Sequence, residues 1–179
     1  MNLPNKLTVL RVCMVPVFVV LMLWDGLGDA GKYAAAAIFI LASMTDWLDG
    51  YLARKNNLVT DFGKFMDPIA DKLLVCSAMI CLVEKDALAA WIVIIIIGRE
   101  FIISGFRLVA SDKGTVIAAS YWGKFKTVFQ MVMVILLILD LGGAFDIVAQ
   151  IVTWIALILT VVSLADYLRK NWKVLDGQM

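Results

Sequence analysis

Residues 46–71 read DWLDGYLARKNNLVTDFGKFMDPIAD. Four carboxylates, Asp46, Asp49, Asp67 and Asp71, stand here between apolar stretches that have the composition of membrane helix. An acid at bilayer depth costs about 3 kcal/mol unless something compensates it, so four together mark a functional site. Asp46 and Asp49 are spaced i,i+3, and Asp67 and Asp71 i,i+4, so each pair shares one helix face. The polar stretch 55–61 turns the chain back on itself. Asp49 lies about as far before that turn as Asp67 lies after it, which at about 1.5 Å per residue puts the two pairs at similar depth.

Working outward, the whole chain fits a membrane setting. Its 179 residues are 63% hydrophobic and only 17% charged, with a mean hydropathy of +0.92, beyond what a soluble domain carries. The length is that of one domain, residues 1–179, without an internal repeat. No period-two alternation suggests a membrane barrel, so the expected class is an all-α integral membrane protein. The spacing predicts six transmembrane helices at about 7–25, 33–55, 62–84, 87–110, 120–140 and 146–170, each close to the length of a bilayer crossing. Residues 1–6 (MNLPNK) are expected to lie in the interface as a short lead-in. Lys6 and Arg11 followed by an apolar run imitate a signal peptide, but no small-x-small site follows, so a retained first helix is expected.

Of the 16 Lys and Arg, only Lys32 and Lys85 fall in the connections 25–32, 84–86 and 140–146. The opposite set of connections carries the rest of the loop base, which places both termini in the cytoplasm of a bacterial-type inner membrane. Polar residues interrupt helices 2 to 5 in their cytoplasmic halves, implying a polar cavity open to that side. The net charge of +1 gives no field for nucleic acid, and the absence of His removes imidazole chemistry. Cys13, Cys76 and Cys81 have no metal-ligand spacing and are read as packing residues.

Four convergent carboxylates cannot all stay ionised without protons or cations to neutralise them. All-oxygen donors suit hard divalent ions such as Mg²⁺, Mn²⁺ or Ca²⁺. Four are enough for a pair of metals about 3.5–4 Å apart, the arrangement used for phosphoryl chemistry. Gly50, Ala53 and Gly63 keep the adjoining backbone open to a ligand, and Arg54 adds a cation that fits a phosphate.

Asp46-x-x-Asp49-Gly50-x-x-Ala53-Arg54, eight residues, then Gly63-x-x-x-Asp67-x-x-x-Asp71 resembles the signature of the CDP-alcohol phosphatidyltransferase family, position for position. The resemblance extends over essentially the whole chain. It implies a transferase that moves a phosphatidyl group from a CDP-linked lipid, CDP-diacylglycerol, to an alcohol and releases CMP. It implies two divalent cations per protomer, Mg²⁺ or Mn²⁺, ligated by Asp46, Asp49, Asp67 and Asp71, with Asp71 also the base. It assigns Gly50, Ala53, Arg54 and Thr60 to the nucleotide side, and it suggests a homodimer. Asn5, Thr8 and Arg11 start helix 1 at the same face and are expected near the nucleotide or a phosphate.

On the acceptor side, Arg99, Arg107 and Lys124 are expected to converge on an anion beside the metals. A phosphorylated acceptor follows. The stretches NLPNKLTVLR, GREFIISGFR and WGKFKT look most like family members whose acceptor is sn-glycerol 3-phosphate. Inositol phosphate, serine or phosphatidylglycerol are alternative acceptors. Outside this chemistry, the intramembrane acids also suit a cation transporter, against which stands the lack of a polar path to the outer side. The bland alternatives are specific too. Asp61 and Asp112 read as solvated acids, and Lys55 and Lys64 as topology signals. Arg99 has the option of a structural ion pair with Glu100 or with acids of a neighbouring helix. Lys124 and Lys126 lie about 200° apart on a helix, and Lys126 is expected to snorkel outward. Trp24, Trp91, Trp154 and Trp172 read as interface or packing aromatics. Pro68 either kinks helix 3 or sits in its first turn. Glu100 and Lys72 carry no assignment.

Overall fold

The computed structural model of the chain describes the backbone of residues 3–55, 61–112 and 120–171, and the side chains of 5–45, 63, 66–110 and 120–171. Among these residues all regular structure is helical: α1 Leu3–Leu23, a 3-10 turn Asp25–Leu27, α2 Gly28–Lys55, α3 Asp61–Glu84, α4 Ala90–Asp112, α5 Tyr121–Leu139 and α6 Ala144–Asn171. Thr60 and Trp172 lie outside the described residues, as do the side chains of Asp46, Asp49, Gly50, Ala53, Arg54, Lys55, Asp61, Lys64 and Asp112.

Four helical segments are long and apolar enough to cross a bilayer: Asn5–Leu23, Asp25–Thr45, Tyr121–Leu139 and Ala144–Asn171. The six expected helices form, but α3 and α4 fall outside that set. Asp67, Asp71 and Lys72 interrupt the one, and Arg99, Glu100 and Arg107 the other. The expected lead-in is not a separate element, since α1 is already helical from Leu3. Nor does α2 wait until residue 33. The acidic stretch expected as a loop is used up by the 3-10 turn, Gly28 takes φ 51°, and α2 begins there. Pro68 lies well inside α3 rather than in its first turn.

The chain divides into two compact units, Met1–Leu88 with Val134–Asp140, and Ala89–Met133 with Leu141–Met179. In the first, α1 packs on α2 and α3. Ala35, Ala36, Phe39 and Ala42 on α2 are buried, and the small side chains of the three alanines admit close helix approach. Phe18 of α1 fills the space they leave, its ring 6.1 Å from that of Phe39. Ala70, Leu74, Ala78, Met79 and Leu82 continue this core on α3. Lys85 pairs with Asp25 and so ties the end of α3 to the end of α1.

In the second unit α4 packs on α6. The buried face of α6 is a stripe of small residues, Ala149, Thr153, Ala156, Thr160 and Ser163, at alternating steps of four and three. That spacing keeps one seam facing α4, where Ile92, Ile96, Arg99 and Ile103 are buried in the same rhythm. The hydroxyls do not go unsatisfied in this apolar seam. Thr153 donates to the Ala149 carbonyl at 2.8 Å and Thr160 to that of Ala156 at 2.7 Å. Trp91 and Trp154 remain about half exposed, their rings 6.1 Å apart. Of the cysteines, Cys81 is buried, whereas Cys13 is exposed and does not serve the packing role expected of it.

Candidate functional site

The carboxylate hairpin belongs to the first unit. Asp46, Asp49, Gly50, Ala53 and Arg54 lie on the last turns of α2, and Asp67 and Asp71 on the second and third turns of α3. Both α3 acids are half-buried. A polar face of α1 supports them. Asn5, Thr8 and Arg11, three residues apart, are all buried, Thr8 and Arg11 completely. Thr8 Oγ1 donates to Asp67 Oδ1 at 2.5 Å, across 59 residues of chain. Arg11 Nε donates to the Ala42 carbonyl at 3.2 Å. That carbonyl stands one turn before Asp46 and also accepts from Thr45 Oγ1 at 2.7 Å. Thr8 thus orients a carboxylate of α3, while Arg11 fixes α2 just above its first acid. The sequence reading placed Asn5, Thr8 and Arg11 near the nucleotide or a phosphate; Thr8 and Arg11 also bond to α3 and α2.

Among the described residues no cluster of three His, Cys, Asp or Glu side chains forms. The side chains of Asp46 and Asp49 on α2 lie outside that set. The donor chemistry fits a hard divalent cation. Carboxylate oxygens are the right ligands, and the hydroxyl bond to Asp67 occupies one of about four acceptor sites on that group.

The second unit contains a buried charged junction. Arg99 is 8% exposed. Its Nη1 donates to Glu100 Oε1 at 2.9 Å and its Nε to Ser163 Oγ at 3.1 Å. Ser163 in turn donates to the Thr160 carbonyl at 3.0 Å. Lys126, 1% exposed, pairs with the same Glu100 oxygen. Arg107 and Lys124 are exposed, and Lys124 lies over the Tyr121 ring at 5.4 Å. Arg99, Arg107 and Lys124 therefore do not share one environment, and the expected snorkelling of Lys126 is corrected. Of the two lysines the structure turns Lys126 inward, because Glu100 on α4 supplies the partner that lets a lysine be buried charged. The structural ion pair considered for Arg99 is present. Glu100, without an assignment from sequence, is the hub of the junction. Its signal in the sequence was an acid adjoining an arginine within an apolar run.

The model of the CDP-alcohol phosphatidyltransferase family matches residues 1–162. A Bacillus subtilis protein named CDP-diacylglycerol–glycerol-3-phosphate 3-phosphatidyltransferase is 48% identical, covering 97% of each chain. A Rickettsia typhi protein of the same name is 41% identical over 94% of this chain and 96% of its own. A Mycobacterium tuberculosis protein named probable phosphatidylglycerophosphate synthase is 41% identical over 98% of this chain and 84% of its own. With a family model spanning most of its length and full-length relatives above 40% identity, the chain belongs to the CDP-alcohol phosphatidyltransferase family.

Proposed function

We propose that this membrane enzyme is of the phosphatidylglycerophosphate synthase type: it transfers the phosphatidyl group of CDP-diacylglycerol to sn-glycerol 3-phosphate. The products are phosphatidylglycerophosphate and CMP. The observation that carries this is the near-complete coverage of relatives named for that reaction, joined to the eight-residue acidic signature on the α2–α3 hairpin.

The acceptor hydroxyl oxygen forms a bond to the phosphatidyl phosphorus, the pyrophosphate P–O bond breaks, and CMP leaves with that electron pair. Asp71 takes the hydroxyl proton, a step that needs reach more than a strongly shifted pKa. Mg²⁺ or Mn²⁺ ions held by Asp46, Asp49, Asp67 and Asp71 supply, when bound, charge neutralisation of the pyrophosphate and of the leaving CMP. Gly50 and Ala53 leave room for the nucleotide, with Arg54 and Thr60 beside it. Arg99 is the anion-binding group for the acceptor phosphate, with Arg107 and Lys124 as exposed cations that attract it. An active site facing the cytoplasm of a bacterial inner membrane, reached by the donor from the bilayer, and assembly as a homodimer complete the proposal.

Purified protein given labelled CDP-diacylglycerol and a panel of acceptors tests it. CMP release with glycerol 3-phosphate should exceed that with serine or glycerol by about tenfold or more, the weight of a site built to pair a charged group, and should also exceed that with inositol phosphate or phosphatidylglycerol. Preference for an unphosphorylated alcohol would overturn the acceptor assignment.

The α1 support gives a second expectation. Thr8→Val keeps shape but removes the hydroxyl that orients Asp67. Turnover should fall by about tenfold, as expected for a reacting group displaced by a fraction of an ångström, while the protein stays folded. CMP release beside a thermal unfolding scan measures both, and unaltered turnover would strip Thr8 of this role.

A further inference from the structure

Arg99 is held from three helices at once. Its Nε is fixed by Ser163 of α6 and its Nη1 by Glu100 of α4. Its Nη2 lies against α5 at Gly123, where an added Cβ would stand 3.1 Å away. Glu100 does more than pair with its chain neighbour. The same oxygen takes Lys126 from α5, so one carboxylate joins α4 to α5 and accompanies two buried cations. Residues adjacent on a helix diverge by about 100°, so an Arg–Glu bond between them fixes the arginine side chain in one bent course.

We propose that Glu100 is a positioning residue for the acceptor: it sets the direction of the Arg99 guanidinium and holds Lys126 of α5 against α4, and so determines the affinity for a phosphorylated acceptor. This inference rests on the acceptor assignment above. A guanidinium binds a phosphate well only when its planar fork is aimed, which is what the Glu100 and Ser163 bonds provide.

The sign of the effect separates positioning from simple electrostatics. Removing a negative charge near an anion site by itself tightens anion binding, whereas loosening the arginine weakens it. Glu100→Gln, assayed as purified enzyme, should raise the glycerol 3-phosphate KM by about tenfold. The CDP-diacylglycerol KM should stay near wild type, while the thermal unfolding midpoint falls because buried Lys126 loses its charged partner. An acceptor KM that is unchanged or lowered contradicts the proposal. So does a parallel rise in both KM values, the mark of a merely structural pair. Should Glu100→Gln fail to fold, Gly123→Ala decides, because its Cβ displaces Nη2 with Glu100 in place. A selective rise in acceptor KM supports the proposal, and wild-type kinetics contradict it. Wild-type enzyme that does not use glycerol 3-phosphate at all would remove the acceptor assignment. Wild-type enzyme that uses it, with Glu100→Gln indifferent, removes only the role given to Glu100.

Discussion

Asp71→Asn should lower kcat by about a hundredfold to ten-thousandfold, the span that general-base catalysis supplies, while CDP-diacylglycerol still binds. The substitution is nearly isosteric. It leaves one oxygen able to face a cation but removes the charge and the ability to accept the acceptor proton. Asp71 follows Asp67 by four residues on α3 and is likewise half-buried, so the two share a face without being interchangeable. Asp67 is tied to Thr8 Oγ1, which suits a group that must stay still as a ligand. Its replacement by Asn should therefore be answered in part by higher metal concentration, and that of Asp71 should not. Product formation and equilibrium binding of the CDP-lipid, measured on the same preparations, separate the two behaviours. Turnover like that of the wild type in Asp71→Asn would remove Asp71 as the base.

What the sequence made legible, and what it did not, follows from the range of the interactions. The helices were readable because apolar runs of bilayer length leave little alternative, and the shared face of Asp67 and Asp71 on α3 because its i,i+4 spacing is local. Element starts were harder. DGLGDAGK has the composition of a loop, yet Gly28 begins α2, since a single 3-10 turn is enough to reverse the chain. Thr8 was placed near the site, but its partner Asp67 is 59 residues away and nothing local announces the bond. The choice between Lys124 and Lys126 shows the same limit. The helix period says that one of them points inward, but not which; Glu100, 26 residues from Lys126 on another helix, decides it. Arg99 was recognised as a charge in need of a partner, while its second anchor, Ser163, comes from the far end of the chain.

Removal of divalent metal should have the largest effect of all. In the proposed site four carboxylates from α2 and α3 repel one another and also repel the pyrophosphate of the donor, so without cations it would both resist its substrate and lack charge stabilisation for departing CMP. A loss of several kcal/mol of transition-state stabilisation corresponds to about a thousandfold or more in rate. The most direct test is to strip the purified enzyme with EDTA, follow CMP release, and titrate Mg²⁺ or Mn²⁺ back. The account predicts that activity disappears on chelation and returns as two metal equivalents per protomer bind. Full activity in the stripped enzyme, with no metal retained, would contradict it.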